Sequence, residues 1–272
     1  MKRALLASAM LLAFPFYAHA HDPAADEKKA EEKKAEAKKS DEGWSGSGEA
    51  GFAATSGNTR SENLNIKFNI KKEDPLWKYG FYFNALRSKG EANGSYDVTA
   101  NRYETGASTG YKFDERSYVV GAARYEDDEF SPYTYQFVLS LSYGYTVLKN
   151  PNTEFFVEIG PGYRRLDPQP YEVISGDPPT VSEIDPDAED NFVGRGLMAY
   201  KHKFNDSTSF ENISLVEAGS NNTYFQNDAG LSVSMSDRLA LKLGYQIRHN
   251  SDVREGLKKT DQLVTTNVVF KF

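Results

Sequence analysis

From Gly43 to the end of the chain, apolar and polar residues alternate with a period of two, and they do so in twelve successive segments. The sharpest is the sixth, where Tyr133, Tyr135, Phe137, Leu139, Leu141, Tyr143 and Tyr145 share one face. Thr134, Gln136, Ser140, Ser142 and Gly144 share the other, with Val138 the one apolar exception. Such alternation places successive side chains on opposite faces of a strand, so the chain is all-β here. The second, third, tenth, eleventh and twelfth segments repeat the pattern, led by Leu64, Trp77, Phe225, Leu239 and Val264. Two are less regular. The fifth, Tyr118 to Tyr125, has no clear phase, and the ninth shifts phase between Phe210 and Ile213, which predicts a bulge.

Which face meets the core decides the fold class. A soluble sandwich would bury an aliphatic face. Here the apolar face carries aromatics at its ends and aliphatics between, while the other carries Gly, Ser, Asn and charges of both signs. Tyr133 to Tyr143 spans ten steps, about 34 Å along a strand and roughly 25 Å after a tilt near 40°, the height of a lipid-facing band. Tyrosine and tryptophan favour the two edges of such a band, because the ring is apolar and its polar atom seeks water. The apolar face is therefore predicted to be the outside. In lipid, strands satisfy their backbone groups only in a closed barrel. The expectation is a transmembrane, antiparallel, up-and-down β-barrel of twelve strands over residues 43–272.

The connections alternate in length. Asp74-Pro75, Asp114-Glu115, Asn150-Pro151-Asn152, Asn205-Asp206 and Ser236-Asp237 mark tight turns. Between them lie longer polar links at 88–95, 126–132, 166–191, 217–222 and 250–261, with Ser56-Gly57-Asn58 a short exception. Short turns in the periplasm and long loops outside is the outer-membrane pattern. Twelve strands then put both termini in the periplasm.

Ahead of the barrel, Lys2 and Arg3 precede an apolar run from Ala4 to Tyr17 and the small-x-small pattern Ala18-His19-Ala20. These mark residues 1–20 as a secretory signal peptide, too short in its apolar run to span a bilayer as a helix. Residues 21–42 are an Ala/Glu/Lys run without Leu or Ile, read as a solvated periplasmic tether. Loss of Lys2 and Arg3 moves the formal charge from −7 to −9. That balance argues against a nucleic-acid partner, which needs clustered cations. With no cysteine, thiol catalysis, disulfides and thiolate metal sites are excluded.

Arg116-Ser117-Tyr118, the run Arg124-Tyr125-Glu126-Asp127-Asp128-Glu129-Phe130-Ser131, Gly144-Tyr145 and Gly160-Pro161-Gly162-Tyr163-Arg164 follow one another in order. With Lys258-Lys259-Thr260-Asp261 and the final Phe272, this set resembles the salt-induced outer-membrane protein family, a family of unknown function. The resemblance implies a Gram-negative outer-membrane barrel and induction by salt. It implies no catalytic residues and no cofactor.

The candidate chemistry is charge. Lys67, Arg102, Glu104, Glu158, Arg164, Arg195, Asp228, Lys242 and Arg248 fall on the inward face. They would either line a narrow ion-selective passage or pair with one another in a filled lumen. Residues 166–191 hold eight acids, five prolines and no Lys or Arg. Within them Asp185, Asp187, Glu189 and Asp190 form an acidic outer loop able to attract cations, though without the spacing of a calcium loop, so no metal site is assigned. Glu126, Asp127, Asp128 and Glu129 are read as a second acidic loop. Phe270 and Phe272 are read as the signal taken up by the barrel-assembly machinery, with outer-membrane lipid and lipopolysaccharide as the surroundings. His249 and Ser251 could suggest an acyl hydrolase, but side chains two apart on a strand sit about 7 Å apart, out of direct reach. The two function classes are thus a passage or stress-responsive structural component of the outer membrane, and a lipid-acting enzyme on a barrel scaffold.

Overall fold

Residues 43–55, 60–92, 95–175, 179–253 and 258–272 are described by a computed structural model of the chain. The expected signal peptide and tether, Asp177 and the first hairpin tip at Ser56 to Asn58 lie outside them.

Among the described residues, fourteen strands form in chain order. They are β1 (Trp44–Thr55), β2 (Ser61–Glu73), β3 (Trp77–Ala92), β4 (Ser95–Lys112), β5 (Ser117–Asp128), β6 (Tyr133–Lys149) and β7 (Thr153–Pro168), then β8 (Tyr171–Ser175) and β9 (Thr180–Ile184). After these come β10 (Glu189–Lys203), β11 (Thr208–Gly219), β12 (Thr223–Ser234), β13 (Leu239–Asn250) and β14 (Thr260–Lys271). Twelve close into an antiparallel barrel in which each strand pairs with its sequence neighbour, while β8 and β9 pair as a separate hairpin between β7 and β10. Closure is made by β1 against β14, from Ser47 opposite Lys271 to Ala50 opposite Val268. Below that, Gly46 and Phe272 exchange both backbone hydrogen bonds, at 2.9 and 3.0 Å. A methyl group on Gly46 would collide with the Phe272 ring. Glycine there is what lets the last aromatic lie flat against the closing strand.

The alternation works as the pattern requires. On β6, Leu139 and Leu141 are 53% and 59% exposed, and the intervening Ser140 and Ser142 are 6% and 2% exposed. Outward aromatics cluster at the short-turn rim, where Trp77 meets Tyr111 at 5.2 Å between centroids, Trp44 meets Tyr79 at 6.3 Å and Phe68 stacks on Phe272 at 6.0 Å. Tyr103, Tyr125 and Tyr135 form a second belt at the other rim, 6.1 and 5.8 Å apart. Eight steps separate Tyr103 from Tyr111, about 21 Å after tilt, close to the apolar height of a membrane barrel. An apolar surface running round the whole barrel is far larger than a soluble monomer tolerates.

The short turns share one device. The side-chain oxygens of Asp74, Asp114, Asn150 and Asn205 each accept from the backbone N–H groups two and three residues on, at 2.7 to 3.0 Å. This is why Asp and Asn mark these positions in the sequence.

Several expectations need correction. The link at 88–95 is a hairpin, with β3 and β4 laddered out to Ala92 opposite Ser95. The link at 166–191 carries the β8–β9 pair. Tyr133 is buried rather than outward, because the register of β6 against β7 slips between Tyr133 and Tyr135. The bulge expected near Phe210 is absent, and β11 runs in unbroken register with both neighbours. Its apparent phase shift arises because Ile213 faces the lumen, where it lines a cavity beside Glu211.

Candidate functional site

Among the described residues, charges of both signs gather in the lumen, and strand parity puts them there. On β5 the even positions point inward, carrying Tyr118, Val120, Arg124 and Glu126. The charges form three storeys.

Nearest the short turns, Glu73 takes Lys112 at 2.6 Å and Lys149 at 3.3 Å. Glu158 pairs with Arg195 at 3.1 Å and accepts the Tyr118 hydroxyl at 3.0 Å. Lys78 lies over the rings of Tyr118 and Phe156, 4.2 and 4.8 Å from their centroids. The Tyr118 ring fills the space a side chain at Gly144 would need, so the glycine is a seat for it.

In the middle storey Lys242 bridges Glu49 at 2.7 Å and Glu211 at 2.5 Å, and Lys67 meets Asp228 at 3.5 Å. Gln226 and Gln246 both donate to Asp228, at 2.6 and 2.7 Å. These groups surround a cavity of about 30 Å³.

The outer storey closes the barrel. Arg124 on β5 forks onto Glu217 of β11 at 2.5 and 3.3 Å and also takes Glu126 at 2.8 Å. Arg248 on β13 reaches Glu126, and takes Asp128 at 3.0 Å. In the strand order β13 and β5 stand opposite one another, so this pair spans the full width of the lumen. Tyr224 is wedged between the two guanidiniums, 4.8 and 5.4 Å from its ring, and its hydroxyl accepts from Arg248 at 2.9 Å. Tyr82 donates to Glu104 at 2.6 Å, and Arg102 donates to Gln246 at 2.8 Å. Glu126, Glu217, Arg164, Leu166 and Tyr224 are no more than 1% exposed. Buried charges of this kind persist only when paired and hydrogen-bonded, and here the signs balance. Arg164 is the exception: it donates to the backbone carbonyls of Asn222 at 2.6 Å and Glu217 at 3.4 Å.

All nine inward charges read from the sequence therefore lie inside. Two of the acids read as an outer loop do not lie outside: Glu126 and Asp128 belong to β5 and point inward to Arg124 and Arg248. The loop assignment fails because β5 continues through them, held by arginines on other strands. Asp127 alternates outward and accepts the Tyr103 hydroxyl at 3.1 Å, while Glu129 accepts from Asn101 at 2.7 Å. Asp185 and Asp187 sit between β9 and β10. Glu189 and Asp190 open β10, where Asn221 donates to Glu189 at 2.9 Å. Asp190 is held by the Tyr163 hydroxyl at 2.6 Å and Arg165 at 3.5 Å. His249 and Ser251 are engaged elsewhere, with Thr260 at 2.8 Å and Asn222 at 3.3 Å. Phe270 and Phe272 stack on each other outside the closing strand, 6.5 Å apart. Alternation already sets Glu49 and Tyr82 on the inward face without giving them a role; missed altogether were Arg124, Glu211 and Glu217, and the inward tyrosines Tyr118 and Tyr224. The link expected at 217–222 starts later, because β11 runs through Glu217 to Gly219. The usable signal was parity carried past the apparent ends of the strands.

A closed twelve-stranded barrel, apolar outside and crossed inside by paired charges, defines a membrane-type β-barrel whose lumen is crossed at its outer storey by buried side chains of its own strands. The chain belongs to the family described as "Protein of unknown function, DUF481", which it matches over residues 48–272. It is 25% identical over 225 residues to "Uncharacterized protein YdiY" of Escherichia coli (strain K12), covering 82% of this chain and 81% of that one. Among solved structures it is similar to the NanC porin, with TM-score 0.46 and 11% identity over 84% of this chain and 98% of the other. It is also similar to the translocator domain of the autotransporter NalP from Neisseria meningitidis, with TM-score 0.47 and 13% identity over 92% and 96%. At such identities nothing those barrels carry passes to this chain.

Proposed function

We propose that this chain is an outer-membrane barrel, with both ends of the chain at the periplasmic rim, whose lumen is a narrow passage for ions and small polar solutes held shut at rest. The observation that carries this is the outer storey. Among the described residues the closure is made by the side chains of Arg124, Arg248, Glu126, Asp128 and Glu217, joined from opposite walls. A lumen meant only as a solid core could be packed with apolar groups, and replacing buried ion pairs by such groups is often neutral or stabilising. Paired charges instead leave a polar path wherever they part. Salt-responsive expression and lipopolysaccharide as neighbour follow the family resemblance and belong to the same reading.

Planar-bilayer recording of the refolded protein tests it. Wild type should pass small or rare currents. The double variant Glu126→Gln/Glu217→Gln should conduct more often, because it removes two carboxylates that tie Arg124 and Arg248 across the lumen. A variant as silent as wild type would remove the passage and favour a second reading, a structural component of the membrane. The same full burial of the outer storey supports that second reading.

Where current flows, a cation preference is expected, since Asp185, Asp187 and Glu189 lower the potential at the mouth. It should be strongest at low salt, because screening acts over about 8 Å at physiological ionic strength. Reversal potentials in a salt gradient should shift toward zero when these three acids become Asn and Gln. An unchanged preference would place the selectivity elsewhere.

A further inference from the structure

The outer wall is not uniform. On β11 the inward residues are Glu211, Ile213 and Glu217, so Asn212, Ser214 and Val216 point out. On β12 the inward residues are Gln226 and Asp228, so Asn227 points out beside them. Asn212 and Asn227 donate to one another at 3.1 Å in both directions, and Asn227 donates to Ser214 at 2.7 Å. This polar trio lies within the apolar band. Towards the short turns it is followed by Phe210 and Leu231, and towards the other rim by Val216 and Phe225, which face each other across the ladder. Hydrocarbon supplies no hydrogen bonds, so polar atoms there need protein partners.

The mutual bonds leave capacity unused. Each carboxamide has two N–H donors and two acceptor lone pairs. Asn212 keeps one N–H, and the Asn227 oxygen keeps one lone pair. A free donor beside a free acceptor is self-complementary about a two-fold axis, where each copy offers what the other lacks. The adjoining strand adds Gly194 and Gly196 on the same outward face. A methyl group at Gly196 would meet nothing within 4 Å, so the single barrel does not require glycine there. In the register of β10 against β11, Gly196 stands opposite Val216 and Gly194 opposite Ala218, on the outer-rim side of the trio, while Met198 and Tyr200 stand opposite Ser214 and Asn212.

We infer that the outward face of β10, β11 and β12 is the interface of a homodimer, two copies pairing Asn212 and Asn227 across a two-fold axis within the bilayer. This rests on the membrane reading above, and a second copy is the occupant because the leftover donor and acceptor match each other.

The absence of native cysteine makes the test clean. Full-length Ser214→Cys and Ala107→Cys, the latter outward on β4 far round the barrel, are treated in native outer membranes with a short bis-maleimide. Ser214→Cys should give a crosslinked species of twice the monomer mass at several times the yield of Ala107→Cys. Adding Asn212→Leu and Asn227→Leu should abolish that species while the barrel stays heat-modifiable. Ser214→Cys that stays monomeric in the membrane, equal crosslinking at Ala107→Cys, or crosslinking indifferent to the two leucines would each overturn the interface and leave the membrane reading intact. Crosslinking of Ser214→Cys only to a product of another mass would assign the face to a different protein and overturn it too. Protein that fails to fractionate with membranes would defeat both readings.

Discussion

At the residue scale, single polar atoms set the geometry. Asp114 Oδ1 accepts from the N–H groups of Arg116 and Ser117, both at 2.7 Å, and this holds its carboxyl below the usual carboxylate range. Asp74 is held low in the same way by Trp77 and Leu76. A carboxylate whose folded pKa is depressed stabilises the fold above its unfolded value of about 3.9, and that contribution fades as pH falls through the folded value. Asp114→Asn keeps the acceptor without the charge. It should fold at neutral pH and lose less stability than wild type between about pH 4 and pH 2, which urea titrations at stepped pH would read. Asp114→Ala should lower the urea midpoint at every pH. Equal acid sensitivity in wild type and Asp114→Asn would remove the carboxylate from the account. The turn was legible because Asp and Asn have few reasons to recur at strand ends other than this one. Tyr118 and Tyr224 were not legible, since a tyrosine outside a clear alternation reads as interfacial until the lumen is known to be crossed by side chains.

At the element scale, β6 could be read outright and β5 and β11 could not. The difference is physical. On β6 the inward residues Ser140, Ser142 and Gly144 are small and polar, so the period of two survives. On β5 a filled lumen takes Tyr118 and Val120 as readily as Arg124, and the contrast between faces collapses. On β11 the contrast is reversed at Asn212, Ile213 and Ser214, which imitates a bulge. The assignment of faces can be tested strand by strand. Leu139→Arg puts a guanidinium mid-strand on the lipid side and should cost about 2–4 kcal/mol near the bilayer midplane. Leu139→Met conserves volume and should cost under about 1.5 kcal/mol. Unfolding titrations in lipid vesicles that find the arginine harmless would put this face inside.

At the scale of the whole molecule, closure depends on a short seam. β1 and β14 are laddered from Ala50 opposite Val268 down to Gly46 opposite Phe272, and the Phe272 ring packs on Phe68 of β2. Removal of residues 270–272 takes away the lower half of that seam and the aromatic end expected to be read by the assembly machinery. The truncated chain should accumulate unfolded in the periplasm, and a normal yield of heat-modifiable barrel would contradict this. Twelve strands, their order and most inward charges were legible, because alternation and turn chemistry are local. The pairing of those charges across the lumen was not, because Arg248 and Glu126 are 122 residues apart and only closure brings them together. The central claim is that the apolar face meets lipid, and the two tryptophans report on it directly. Trp44 and Trp77 are 59% and 39% exposed, outward, at the short-turn rim. In vesicles of brominated phospholipid, wild-type fluorescence should be quenched, more by bromines near the headgroup than by bromines near the chain ends. Fluorescence indifferent to bromine at every depth would contradict the account.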